Sequence, residues 1–124
     1  MFDHLSLGVS DLAAAKRFYD ALFAPLGAAN SWSSEKDLAY GPDGQRLFWL
    51  YPVADERVAG LGTHIAFRAD TPAQVDEAYQ AALANGAASL RAAGLHPDIG
   101  PDYYGAIVLD PDGNKIEIVV GVMH

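Results

Sequence analysis

The sequence predicts an α+β fold of two tandem modules, each with a strand, a helix and two or three further antiparallel strands, and the curved mixed sheets of the modules enclose a shared cavity. A pattern of strand, amphipathic helix and two further strands joined by a Pro-Asp-Gly turn occurs twice. In both copies a histidine precedes a helical tyrosine by fifteen positions, His4 before Tyr19 and His64 before Tyr79. Shared spacing of this kind indicates a duplication. We place the modules at residues 1–58 and 63–124, with a connector around Asp55–Gly62.

The first copy begins with residues that alternate between apolar and polar, His4 to Val9, as expected for a half-buried strand. Ser10 or Asp11 can cap the helix that follows, because a short polar side chain accepts from free N–H groups of the first turn. One apolar face then recurs at helical spacing. Its members are Leu12, Ala15, Tyr19 and Leu22, and Pro25 and Gly27 end the helix.

The second copy repeats this plan from His64 to Gly86. Residues 64–69 again alternate between inward and outward positions of a strand. Asp70 or Thr71 can cap the helix that follows, and Pro72 suits its first turn. The apolar face consists of Val75, Ala78, Tyr79, Ala82 and Leu83. Each helix covers one face of its sheet, so the opposite faces of the two sheets are free to line a cavity.

Composition excludes several classes of function. The chain has 124 residues, a formal net charge of −8 and no cysteine. The negative charge disfavours nucleic acid as a partner, and the lack of cysteine rules out disulfides and thiolate zinc sites. The sequence shows neither a signal peptide nor a segment of membrane-spanning length. We therefore expect a cytoplasmic protein with no membrane partner.

Three residues at matched strand positions form a candidate metal site. Glu117 lies between Ile116 and Ile118 and points to the opposite face, where His4 and His64 also lie. Taken singly, each has an ordinary structural explanation, as a strand end, a core histidine or an edge residue. Taken together, two imidazoles and one carboxylate form a facial triad that suits one divalent ion, Mn, Fe, Ni or Zn.

The stretches "HLSLGVSDLAAAKRFY", "THIAF" and "LDPDGNKIE" resemble the vicinal oxygen chelate superfamily. This superfamily includes glyoxalase I, extradiol dioxygenases, fosfomycin-modifying thiol transferases and bleomycin-resistance proteins. The resemblance implies paired βαβββ modules, usually in a homodimer, with metal ligands at the positions of His4, His64 and Glu117. Open sheet edges also favour a homodimer, in which modules of one chain or of two chains enclose each cavity.

Departures from the resembled enzymes narrow the function. Glyoxalase I has a fourth metal ligand on the last strand of its first module. Matching the motifs places Trp49 at that position, whereas counting from the Pro-Asp-Gly turns places Phe48 there. Neither side chain binds a metal. The fosfomycin-modifying enzymes hold their phosphonate with Lys and Ser residues, which the loop "HPDIGPDYYGAI" lacks.

Further candidates line the predicted cavity. Ser6 matches a hydroxyl near the metal in the fosfomycin-modifying enzymes, and Tyr103 can donate a hydrogen bond or act as an acid or base. Arg68 pairs with an acid or anchors a substrate carboxylate. The remaining substrate-binding candidates are Trp49, Phe48, Tyr104 and His96.

Two functions are consistent with the sequence. The leading hypothesis is a divalent-metal-dependent enzyme acting on a small oxygen-chelating substrate, by lyase, isomerase, thiol-transfer or ring-cleavage chemistry. The alternative is a metal-free binding protein that sequesters an aromatic or antibiotic-like compound. The complete triad favours the enzyme, and the aromatic residues favour the binding protein.

Overall fold

The computed structural model describes residues 1–54 and 62–120. The described chain contains two helices and eight strands in the order predicted for two βαβββ modules. Their bounds are β1 Leu5–Val9, α1 Leu12–Phe23, β2 Ala29–Ser33, β3 Leu38–Gly41, β4 Phe48–Pro52, β5 His64–Ala69, α2 Pro72–Ala84, β6 Ala88–Leu95, β7 Tyr104–Leu109 and β8 Lys115–Val120. Most of the predicted connector, residues 55–61, lies outside the described residues.

Each module forms one four-stranded mixed sheet. The strand orders are β1-β4-β3-β2 and β5-β8-β7-β6, so the two sheets have equivalent topology. In both, the first strand pairs in parallel with the last strand, and the other pairs are antiparallel. The predicted α+β class and tandem modules are confirmed.

The helices begin at the polar residues that suit an N-cap. The Asp11 side chain accepts a hydrogen bond from the Ala14 N–H, and Thr71 accepts from the Gln74 N–H. Helix α1 is followed by a short 3₁₀ turn that ends at Gly27, whose φ of 76° lies in the left-handed region that glycine adopts without strain. The caps therefore fix where each helix enters the fold.

The two modules share one hydrophobic core, in which α1 and α2 contact each other. Phe67 of β5 crosses from the second module into the first. Its ring lies 4.7 Å from the ring of Phe23 and 5.2 Å from the ring of Phe48. Because the helical faces meet in this way, the opposite faces of the two sheets do not close around the predicted common cavity in residues 1–54 and 62–120.

A buried hydrogen-bond network joins the turn before β8 to helix α1. Asp110 is 4% exposed, and one of its oxygens accepts from the Tyr19 hydroxyl at 2.7 Å. Backbone N–H groups of Asp112 and Asn114 donate to its other oxygen. The Asn114 side chain also donates to the carbonyl of Gly8, so this turn connects the modules.

Asp110→Asn should lower the free energy of unfolding by about 2 kcal/mol. The substitution removes hydrogen bonds to a charged acceptor, and it places the NH₂ group of the new side chain against groups that are themselves donors. Urea denaturation followed by circular dichroism measures this change. Asp43→Asn is the matched control, because Asp43 is exposed in the corresponding turn of the first module. Equal effects of the two substitutions would contradict the connecting role of Asp110.

Among the described residues, no helix has the length and apolar character needed to cross a bilayer.

Candidate functional site

A row of side chains crosses the second sheet on the face opposite α2. Register pairs Arg91 of β6 with Ile107 of β7, Ile107 with Glu117 of β8, and Glu117 with Ala66 of β5. Paired residues of adjacent strands share a face. Ile116 and Ile118 are fully buried against the core, so the row that contains Glu117 faces away from it. The predicted orientation of Glu117 is confirmed.

The carboxylate of Glu117 is held between a tyrosine and a histidine. It is 8% exposed, and its Oε1 accepts a hydrogen bond from the Tyr103 hydroxyl at 2.8 Å. Its Oε2 lies 3.5 Å from Nε2 of His64. An imidazole nitrogen and a carboxylate oxygen therefore converge at the edge of this sheet, as the strand phases predict.

Burial raises the pKa of Tyr103, and the hydrogen bond to Glu117 raises it further. A phenol with a raised pKa stays protonated near neutral pH and donates its hydrogen. Of the two roles open to Tyr103 from sequence, the geometry favours hydrogen-bond donation over proton transfer.

His4 does not join this pair within one chain. It precedes β1 in the other sheet, its side chain is 51% exposed, and its Nδ1 contacts the Asp3 carboxylate. In the part of the chain that the structure describes, no three His, Cys, Asp or Glu residues are close enough to hold an ion. His64 and Glu117 have the donor atoms that suit a divalent ion, so each chain presents two of the three predicted ligands at one place.

The first sheet resolves the choice between Trp49 and Phe48. Ser6 pairs with Trp49 in the same way that Ala66 pairs with Glu117, so Trp49 occupies the position equivalent to Glu117. Phe48 points the other way, is 5% exposed and packs in the core. Phe48 therefore does not lie on the face equivalent to that of Glu117, whereas Ser6 and Trp49 do.

Tyr104 also faces the helical side of its sheet. Its hydroxyl donates to Oδ1 of Asp76 on α2 at 2.6 Å. Tyr104 pairs with Val120, which is three residues after Glu117 in β8. Side chains alternate between the two faces along a strand, so Tyr104 and Glu117 are on different sides of the sheet. We do not retain Tyr104 as a substrate-binding residue.

His96 and Arg68 remain near the free face of the second sheet. The His96 ring centre is 5.8 Å from that of Tyr103, and its Nε2 is 2.7 Å from the carbonyl oxygen of Ala92. Arg68 is exposed in β5, opposite Val119 in β8. Among the described residues, neither side chain forms a hydrogen bond or ion pair with Glu117, whose partners are Tyr103 and His64.

Arg91 was not identified from the sequence. Its guanidinium makes two hydrogen bonds to Asp98, of 2.7 and 3.1 Å, which hold the pKa of Asp98 below its ordinary value. The register of β6 is irregular on both sides of Arg91. The regular alternation of strand residues is interrupted there, so it does not predict that Arg91 lies on the face of Glu117. The structure thus adds one cation to that face.

A separate apolar cleft lies between the modules. Its volume is about 140 Å³ and its exposed lining is entirely apolar. The lining includes Phe23, Tyr40, Phe48 and Phe67. It has the character of a pocket for a small hydrophobic group, on the opposite side of the sheets from Glu117.

Comparison with known proteins places the chain among similar sequences and folds. The sequence model of the Glyoxalase/Bleomycin resistance protein/Dioxygenase superfamily matches residues 1–118. The uncharacterized protein YqjT of Bacillus subtilis (strain 168) is 35% identical, over 94% of this chain and 95% of YqjT. A glyoxalase/bleomycin resistance protein from Albidiferax ferrireducens T118 is 32% identical, with a TM-score of 0.82 over 98% of this chain and 99% of that one.

The fosfomycin resistance protein FosX from Mesorhizobium loti has the same fold, with a TM-score of 0.74 over 99% of this chain and 93% of that chain. Its sequence identity is 17%, so this likeness concerns the fold alone.

Proposed function

Because this chain belongs to the glyoxalase/bleomycin resistance protein/dioxygenase superfamily, we propose that it is a divalent-metal-dependent enzyme acting on a small substrate with adjacent oxygen atoms. The observation that carries the proposal is the convergence of His64 and Glu117 within 3.5 Å on the free face of the second sheet. A carboxylate in this largely buried position is costly unless it is hydrogen-bonded or paired with a cation.

The ion would be held by His64 and Glu117 of one chain and by His4 of the partner subunit. When bound, it supplies a Lewis acid that polarises a substrate oxygen. The proposal covers lyase, isomerase, thiol-transfer and ring-cleavage chemistry. Glu117 positions the substrate through the ion, Ser6 offers a hydroxyl to a substrate oxygen, and Trp49 offers an aromatic wall. Arg68 and His96 flank the site and bind the rest of the substrate.

A homodimer follows from the incomplete ligand set. One chain presents two ligands, and His4, Ser6 and Trp49 lie on a free face of the other sheet. If the first sheet of one subunit covers the second sheet of its partner, the triad is completed twice by the two-fold symmetry. The half-exposed Trp49 and Tyr51 then become buried at the interface.

Co-expression of His4→Ala and Glu117→Ala chains carrying different tags tests this arrangement. Each variant homodimer lacks a ligand at both sites and should bind no metal. In the purified mixed dimer one site is intact and the other lacks two ligands, so we expect about one ion per dimer, against about two in the wild type.

Metal content by mass spectrometry and mass by sedimentation are the measurements. A mixed dimer without metal would contradict a site shared between subunits. A sedimentation mass of one chain at micromolar concentration would contradict the homodimer itself. Wild-type protein that takes up none of Mn²⁺, Fe²⁺, Ni²⁺ or Zn²⁺ would contradict the proposed enzyme.

The apolar cleft favours the second candidate, a metal-free binding protein for an aromatic compound. Its lining offers aromatic rings, and the hydroxyl group of Tyr40 in that lining already donates to Asp20, which suits a hydrophobic ligand but not oxygen chelation. The two functions differ in whether ligand binding requires His64.

A further inference from the structure

Gly105 leaves space for the ring of Tyr103. A Cβ atom at Gly105 would lie 2.6 Å from the Tyr103 hydroxyl oxygen and 2.7 Å from Cζ of the same ring. It would also lie 2.7 Å from the backbone oxygen of Ile118. Distances under about 3 Å do not occur for carbon atoms in contact. The glycine is therefore needed for space, because the phenol ring crosses directly over this backbone.

The position of the ring determines where its hydroxyl lies. Tyr103 immediately precedes β7 and shares its face with Gly105 and Ile107, whose partner in β8 is Glu117. By folding back over Gly105, the 4%-exposed tyrosine brings its hydroxyl to Oε1 of Glu117 at 2.8 Å. A side chain at position 105 would close this route to the carboxylate.

We propose that Tyr103 is a positioning residue for Glu117, and that Gly105 makes this role possible. A carboxylate presents two oxygens and rotates freely about its last bond. The hydrogen bond from a buried phenol holds Oε1 and leaves Oε2 directed at His64. Glu117 then presents a single oxygen to the ion, in one orientation, before the ion arrives. This inference rests on the proposed metal-dependent function and adds a residue outside its ligand set.

Tyr103→Phe tests the proposal, since it keeps the ring and removes only the hydroxyl. We expect metal affinity to fall by about 10-fold or more, the usual effect of removing a hydrogen bond to a metal ligand. The affinities for Mn²⁺ and Co²⁺ are measured by competition with a chelator, far below the melting temperature. The visible spectrum of the Co²⁺-loaded protein should also change, because the Glu117 carboxylate is no longer fixed by a hydrogen bond to its Oε1.

Tyr104→Phe is the matched control. Tyr104 is the next residue, and its hydroxyl also donates to a carboxylate, that of Asp76, but on the opposite face of the sheet. It should lose this exposed hydrogen bond without changing metal affinity or the Co²⁺ spectrum. Because affinity is measured far below the melting temperature, a loss of stability alone leaves it unchanged, whereas a loss of positioning lowers it in Tyr103→Phe.

The possible failures are distinguishable. If the wild type binds metal and both variants keep its affinity and spectrum, the positioning role is wrong and the proposed function stands. If the wild type binds no divalent ion at all, the proposed function and this inference are both wrong.

Discussion

Replacing Glu117 with alanine should abolish divalent metal binding while the fold persists. The substitution removes the carboxylate that faces His64 and leaves a single imidazole on this sheet. Because removal of a hydrogen-bonding partner of a ligand already costs about 10–100-fold in affinity, loss of the ligand itself should exceed about 100-fold. Titration calorimetry with Mn²⁺ and Zn²⁺ and metal analysis of the purified protein measure the loss.

The fold should persist because the Glu117 side chain lies on the face opposite the core, while Ile116 and Ile118 remain buried. The cost is the Tyr103 hydroxyl left without its acceptor, about 1–3 kcal/mol. Glu77→Ala is the control, since Glu77 is exposed on α2 and should leave metal affinity unchanged. Wild-type affinity in Glu117→Ala would show that the ion, if bound, lies elsewhere.

Much of the fold follows from periodicity, although periodicity describes one module at a time. The predicted stripe of α1 includes Tyr19 and Leu22, and both are fully buried. It omits Phe18 and Phe23, which are also buried, and the Phe23 ring contacts Phe67 of the second module. Phe23 contacts Tyr40 and Phe48 of its own sheet as well as Phe67, so the buried face of α1 is wider than the predicted stripe because it packs against both modules. Sequence reasoning on separate modules does not detect it.

The choice between Trp49 and Phe48 required the strand register. Four positions separate Gly113 from Glu117, whereas five separate Gly44 from Trp49. The first turn is a short 3₁₀ helix, in which Asp43 has a φ of 51°, and the chain continues through Gln45 to Leu47 before β4. One extra residue in this turn shifts the count, and a shift of one residue moves a strand side chain to the opposite face.

Two of the three candidate ligands could be placed together from the sequence, and the third could not. Strand phase places Glu117 and His64 on one face, and the structure brings them together. A duplication makes His4 the counterpart of His64, but equivalence does not bring the two residues together in one chain. Their separation depends on how the modules dock, which is set by contacts such as Phe67 with Phe48 and Tyr19 with Asp110. No pattern within a single module contains that information.

The substrate class is tested by thermal denaturation of metal-loaded protein with a panel of small ligands. We expect stabilisation by neutral or singly charged compounds with adjacent oxygens, such as α-hydroxycarbonyls, 1,2-dicarbonyl adducts and catechols. A ligand that binds only the folded state adds about 2.7 kcal/mol at a concentration a hundredfold above its Kd. Doubly charged phosphonates should stabilise less.

The expectation rests on the charge around the site. The chain carries a formal charge of −8. The face that carries Glu117 holds three cationic side chains among the described residues, those of Arg68, Arg91 and Lys115. Asp98 already neutralises Arg91 through its two hydrogen bonds. The negative charge of the chain would therefore repel a dianion, and the bound ion would be the main attraction that offsets this repulsion. A neutral chelator would lose little binding free energy to this repulsion.

His64→Ala separates the two candidate functions in the same assay. If the ion mediates binding, stabilisation by oxygen chelators should vanish in this variant, because one of the two ligands on this sheet is gone. Stabilisation that survives in His64→Ala would favour the metal-free binding protein, with the apolar cleft between Phe23 and Phe67 as its pocket. Fosfomycin or phosphonoformate raising the melting temperature of wild-type protein more than every diol, dicarbonyl or catechol tested would overturn the predicted substrate class. In that case a phosphonate would be bound despite the net negative charge of the chain.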